Sequence, residues 1–112
     1  MLTAERFVDE LVAAAPQAGP LVSENRDQDD DVVLLHLLLA DVLRLVVASF
    51  SAGDVVLTRR ILAVAERGLR EGDEYVRNAV AVSFVEDFGA FPGESDELLA
   101  QWPSLLRAEL GR

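Results

Sequence analysis

The chain has 112 residues, enough for one hydrophobic core, so residues 1–112 are read as a single helical domain. It carries 20 acidic residues against 10 arginines, no lysine and no cysteine, for a formal charge of −10. That composition excludes disulfide scaffolds and thiolate metal centres, and it offers nucleic acid no basic stripe to bind. Hydrophobic residues make up 51% of the chain and mean hydropathy is +0.23. So much apolar content beside so much charge predicts a dense core, or an apolar face hidden in a homodimer. The charge is uneven: residues 1–31 carry net −6, residues 32–73 balance, and residues 74–112 carry net −4. An acidic face of this kind can steer a basic protein partner.

Thr3 is placed to cap a first helix over residues 4–15, with Glu5 in its first turn. Phe7, Val8, Leu11, Val12 and Ala15 share one face, and Pro16 ends the run. Residues 17–20 read as a turn, and residues 21–31, polar and acidic, as either a short helix or a simple lead into the next element.

That element, residues 32–50, organises the rest. At helical spacing His36, Ala40, Asp41, Arg44, Ala48 and Ser51 fall on one narrow stripe, and almost everything else is Val, Leu or Phe. A helix apolar nearly all round is either buried or membrane-spanning. The length is near the ~20 residues a span needs, but Asp41 and Arg44 would each cost ~2.5–3.5 kcal/mol in lipid. They stand at i,i+3, where they can pair at a water-facing edge. The expectation is a central core helix and no membrane partner. A strand is excluded by length, since strands run ~5–6 residues. Asp29, Asp30 and Asp31 are placed to cap this helix and to supply its negative first turn.

Gly53-Asp54 and Gly72-Asp73 each read as a stop followed at once by a start, with Gly53 at a left-handed position and each aspartate as N-cap. Connections this short make antiparallel neighbours. They bound a third helix over residues 55–71 and open a fourth over residues 74–88. In the third, Val55, Ile61, Leu62, Ala65 and Leu69 point inward, while Arg59, Arg60, Ala63, Arg67 and Arg70 point outward, with Glu66 and Arg70 at pairing distance. Gly68 costs ~1 kcal/mol relative to alanine in mid-helix and marks a close helix crossing. The fourth helix is apolar on most of its surface and is the expected partner of the central one. Residues 89–93 form a loop, Ser95 caps residues 96–101, and Pro103 opens a last helix to Leu110. The fold class is all-α: a compact bundle of five to six helices, without strands, in antiparallel helical hairpins around a buried central helix.

No chemical motif is present. The serines lack a Gly-x-Ser-x-Gly context, and there is no phosphate loop or dinucleotide fingerprint. The run Asp27-x-Asp29-Asp30-Asp31 has the composition of a calcium loop, but the sixth and twelfth positions, where glycine and glutamate are required, hold Val32 and Leu38. His36, the one histidine, reads as a packed, hydrogen-bonded side chain; a site would need Asp41 and Glu86 gathered round it. The Arg59, Arg60, Arg67 and Arg70 face reads as a solvent face bridged to Glu66, Glu71 and Glu74, or as an anion site. Glu86 and Asp87 stand at a helix end whose dipole disfavours anions. They read as half of an ion pair with Arg44 or Arg107, or as an acidic patch for a partner. Trp102, near Phe88 and Phe91, either closes the core or forms an aromatic contact patch. No catalytic, cofactor-binding or metal-ligating residue is expected. The expected partner-binding residues are Asp29, Asp30, Asp31, Glu86, Asp87 and Trp102.

One stretch carries a family likeness. Gly72-Asp-Glu-Tyr-Val-Arg-Asn-Ala-Val-Ala-Val-Ser-Phe-Val-Glu-Asp87, with the turn leading into it and the tail Trp102-Pro-Ser-Leu-Leu106, resembles a segment of small, uncharacterised all-α bacterial proteins. Some of these are encoded beside polymorphic toxins and regarded as immunity proteins. The N-terminal third shares only a general helical pattern. The resemblance implies a binder without chemistry and assigns no catalytic residue.

Two functional expectations follow. The first is a non-catalytic interaction module, in its sharpest form an immunity-type inhibitor holding a basic toxin, or another basic protein, on an acidic surface. The acidic start and the lack of a signal peptide after Met1 place it in the cytoplasm. The second is a homo-oligomeric structural or regulatory module, built on the apolar excess of the central and fourth helices.

Overall fold

The computed structural model describes residues 1–89 and 94–111. Helix α1 (Ala4–Ala14) begins as its sequence requires: the Thr3 hydroxyl accepts the Arg6 N–H at 3.4 Å, and Phe7, Val8 and Leu11 are buried. A single turn of 3₁₀ helix at Pro16–Ala18 runs into a short α2 (Gly19–Glu24).

The next segment departs from expectation. Strands β1 (Arg26–Asp27) and β2 (Val32–Val33) pair antiparallel, with Arg26 opposite Val33 and Asp27 opposite Val32. The all-α class holds, but the absence of any strand does not. The cause is local. The Asp27 carboxylate accepts the backbone N–H groups of Asp29 at 2.9 Å and Asp30 at 3.4 Å, a side-chain mimic of a turn. Asp31 then takes a left-handed φ of 54°, which aspartate tolerates better than most residues. The chain is thereby turned back on itself three residues before the central helix starts. Asp29, Asp30 and Asp31 therefore form a hairpin tip and do not cap that helix.

The central helix, α3, spans Leu35–Ser51 and buries Leu35, Leu38, Leu39, Val42, Leu43, Val46 and Val47. It packs on α4 (Val55–Glu71), on α5 (Glu74–Val80) and on a π-helical turn that continues α5 through Ala81–Val85. The Asp41–Arg44 pair closes at 2.9 Å. Between α3 and α4, Gly53 adopts φ +84° and Asp54 accepts the Leu57 N–H at 3.0 Å, the predicted stop and start.

Gly72 ends α4 and Asp73 caps α5 as expected, without a left-handed turn. The glycine's φ is −66° and its ψ 156°, an extended conformation open to any residue. What it supplies is room. A Cβ there would lie 2.3 Å from the Gly68 carbonyl oxygen and 2.6 Å from Val76 Cγ1. The N-terminal segment is laced to the same turn: the Leu2 N–H donates to Glu71 O, and the Asp73 N–H donates to Leu2 O. Gly68 marks the expected crossing, since a Cβ there would meet the buried Phe7 ring of α1 at 2.6 Å.

The fourth helix also ends earlier than its composition implies. After Val80 the ladder widens, and the Glu86 N–H donates to Ala81 O five residues back. The wider turn places Phe84 and Val85 both inside. Glu86 and Asp87 lie past this turn, not within an α-helix that runs to residue 88. Two short helices complete the bundle: α6 (Asp96–Leu99), capped by Ser95, and α7 (Ser104–Leu110), which packs on α4. Among the described residues there are thus seven α-helices, one beyond the five or six expected, because α2 stands as a separate short element. The buried side chains form one continuous cluster. Among the described residues no helix is long and apolar enough to cross a membrane.

Candidate partner-binding surface

The six expected binding residues lie in three places. Asp29, Asp30 and Asp31 stand together, exposed, at the tip of the β1–β2 hairpin. Behind them Arg26 grips both carboxylate oxygens of Glu5 at 3.2 Å and the Asp31 carbonyl at 3.1 Å, with the Asp31 carboxylate at 3.6 Å. The Glu5 hydrogen bond holds the Arg26 guanidinium above its ordinary pKa, outweighing the loss of hydration. Arg26 is therefore engaged by its own chain. Among the described residues no cation pairs with Asp29 or Asp30.

Glu86, exposed, and Asp87, half-buried, occupy the separate turn after the π-helical segment. Trp102 is inside, at 3% exposure. It stacks on Phe84 at 5.6 Å and meets the edge of Phe88 at 4.9 Å. Of its two readings the structure realises the core-closing one, and a ring so placed presents no contact patch. Phe91 lies outside the described residues.

The other candidates are tied into the fold. His36 Nδ1 lies 2.7 Å from Ser83 Oγ, whereas Asp41 accepts from Asn25 at 2.8 Å and from Arg44 at 2.9 Å. His36 and Asp41 thus have different partners, and neither bonds the other. On α4, Arg67 binds Glu10 at 2.5 Å and Glu71 at 3.1 Å, Arg70 binds Glu71 at 3.2 Å, and Arg59 donates to Gln101 at 2.8 Å. The Glu71 carboxyl is held below the ordinary carboxylate range, first by the Arg70 hydrogen bond and then by the charges of Arg67 and Arg70. The Glu66–Arg70 pair read from the sequence is replaced by another contact. Glu66 Oε1 accepts the Leu105 N–H at 2.6 Å and the Leu106 N–H at 3.2 Å, so it caps α7.

Three residues that position this surface escaped the sequence reading. The Tyr75 hydroxyl accepts the Leu35 N–H at 3.0 Å and donates to Val33 O at 3.1 Å. It thereby caps α3 in the role given to the aspartates. Asn25 is buried and joins three elements, donating to Leu21 O and to Asp41 while its carbonyl accepts the Leu34 N–H. Leu37 stands 58% exposed on a helix whose other valines and leucines are buried or half-buried. Tyr75 was visible as the one tyrosine, on a largely apolar helix; Asn25 and Leu37 carried no local signal.

A family model described as a domain of unknown function, DUF7674, matches residues 8–112. The chain belongs to this family. The match takes in the hairpin, α3, α5 and all six expected binding residues, so this surface is part of the DUF7674 domain itself. No curated protein and no solved structure matches the chain.

Proposed function

We propose that this DUF7674 domain is a non-catalytic, cytoplasmic interaction module that holds a basic protein on its acidic surface, in the sharpest form as an immunity-type inhibitor of a basic toxin. The observation that carries the reading is where the charges end up. Arg26, Arg44, Arg67 and Arg70 each face an acid of the same chain, whereas the hairpin tip leaves Asp29 and Asp30 in water without a cation. A chain of net charge −10 that pairs these four arginines internally presents a predominantly acidic field to a partner. Such fields raise association rates from ~10⁵–10⁶ to as much as ~10⁸–10⁹ M⁻¹s⁻¹ at low salt.

The test is co-purification with, and protection against, the product of the adjacent gene. A complex with a basic product is expected, with an association rate that falls as salt rises. It should fall again on replacing Asp29, Asp30 and Asp31 by asparagine. Absence of a complex, or one indifferent to both salt and these substitutions, removes the reading. The exposure of Leu37 also supports a second reading, a homo-oligomeric module. Sedimentation decides between them: a concentration-independent dimer favours the oligomer, and a monomer removes it.

A further inference from the structure

We propose that the partner is seated on an apolar groove between α3 and α5, and that the groove takes an amphipathic segment of another protein, apolar side chains inward and Lys or Arg on its flanks. The proposal rests on the acidic-surface reading above and gives it a seat and a partner chemistry.

Five apolar side chains stand exposed on α3, on α5 with its π-helical continuation, and on the segment that leads into α3. Leu37 is 58%, Val32 48%, Val82 42%, Tyr75 40% and Leu34 39% exposed. Two contacts stitch their elements together. The Tyr75 hydroxyl binds the backbone of Val33 and Leu35, which brackets Leu34. His36 binds Ser83, the neighbour of Val82, and its ring lies 6.1 Å from that of Tyr75. Tyr75 and Val82 are two turns apart, on one flank of α5 and its π-helical continuation. Leu37 follows His36 on α3, and half-buried Ala40 stands one turn beyond His36 on the flank that faces α5. The His36–Ser83 hydrogen bond occupies one ring nitrogen and the hydroxyl within the protein. Leaving a leucine in water forgoes ~1.5–3 kcal/mol of burial, and α3 exposes one in its first turn.

The rim decides the occupant. Asp29, Asp30 and Asp31 lead directly into Val32, and Asp73 and Glu74 share a surface depression with Tyr75. Arg44, the cation beside Leu37 on α3, is closed on Asp41. An apolar strip edged by carboxylates matches a basic amphipathic helix in a groove. A second copy of this chain would set two acidic rims against each other, an arrangement that like charges oppose.

The test uses the full chain, ¹⁵N-labelled, titrated with a synthetic helical peptide that carries leucines along one face and lysines on its flanks. Two control peptides replace the leucines with serine or the lysines with glutamate. Amide shifts should cluster at Leu37, Ala40, Tyr75 and Val82, and each control should bind about tenfold more weakly or worse. Leu37→Asp and, independently, Val82→Asp should weaken the leucine–lysine peptide by a similar factor. Val56→Asp, at a side chain 62% exposed on α4, should not. All three sites face water, and circular dichroism checks that each variant folds. No binding, shifts elsewhere, or a serine peptide that binds as well overturns the groove. If replacing the hairpin aspartates by asparagine abolishes binding while Leu37→Asp leaves it intact, the groove falls and the acidic-surface reading stands. A dimer in sedimentation that Leu37→Asp dissociates assigns the groove to a second copy and overturns the occupant.

Discussion

Helices α4 and α5 start on caps supplied one residue before them; α3 and α7 start on caps supplied from about 40 residues away. Asp54 and Asp73 accept N–H groups three positions on, at 3.0 and 2.9 Å. Leu34 and Pro103, at the corresponding positions of α3 and α7, offer no side-chain acceptor, and Tyr75 and Glu66 supply it from α5 and α4. A local cap fixes where a helix begins whether or not the helix is packed. A distant cap forms only once two helices have docked. The helix with the most buried residues among those described, α3, therefore has a start conditional on α5, and the hairpin that carries the acidic tip is joined to the same hydroxyl through Val33.

The largest expected effect tests that dependence. Tyr75→Phe keeps the ring and deletes the hydroxyl, leaving the part-buried Leu35 N–H without its acceptor at a cost of about 1–3 kcal/mol. Chemical denaturation should show the loss. Hydrogen exchange should speed at Leu35 and not at Val76, whose cap is Asp73. An unchanged midpoint would mean that α3 holds its own first turn. Next in size, Glu66→Ala removes one oxygen that serves both Leu105 and Leu106, for about 1–2 kcal/mol. The faster exchange should appear in α7, 39 residues along the chain, rather than around position 66. Asp54→Ala removes a local cap for about 1 kcal/mol, with faster exchange confined to the first turn of α4. If the local and distant caps are independent, Asp54→Ala and Tyr75→Phe should add to within about 0.3–0.5 kcal/mol.

The same division explains what could be read from the amino acids alone. Thr3, Asp54 and Asp73 announce their helices because acceptor and donor lie within four residues. Gly68 announces a crossing because a glycine inside a helix is costly without one. Val32 and Val33 gave no such notice. They continue the apolar run of α3 without a break in composition, and only the Asp27 turn, with Arg26 drawn towards Glu5, marks them as a strand. The π-helical turn was hidden for a like reason: Ala81–Val85 has the same apolar character in either ladder, and the difference lies in one hydrogen bond displaced by a residue. Of the candidate surface, the hairpin acids were legible as acids but not as a tip. Leu37 and Val82 were not legible at all, since a leucine inside an apolar run shows its exposure only after its neighbours are placed.

Charge gives the smallest effect and the finest test of local against distant. Arg67 reaches Glu10 on α1 and also Glu71 one turn along its own helix, and Glu71 is further held by its neighbour Arg70. These bonds keep the Glu71 carboxyl more acidic in the folded chain than in the unfolded one. A carboxyl lowered in this sense contributes stability above its unfolded value of about 4.3, and the contribution fades as pH falls through its lower folded value. Glu71→Gln should therefore separate from the parent at neutral pH, and the two unfolding curves should converge on acidification. The gap at neutral pH should be slight, because Glu71 and both arginines face water, and it should shrink in high salt. Glu10→Gln removes the partner on α1 instead. If docking of α1 on α4 depends on that pair, this variant should also speed exchange near the Gly68–Phe7 crossing, which Glu71→Gln should leave untouched. A gap between parent and Glu71→Gln that stays constant with pH would show that the side chain acts through packing rather than charge.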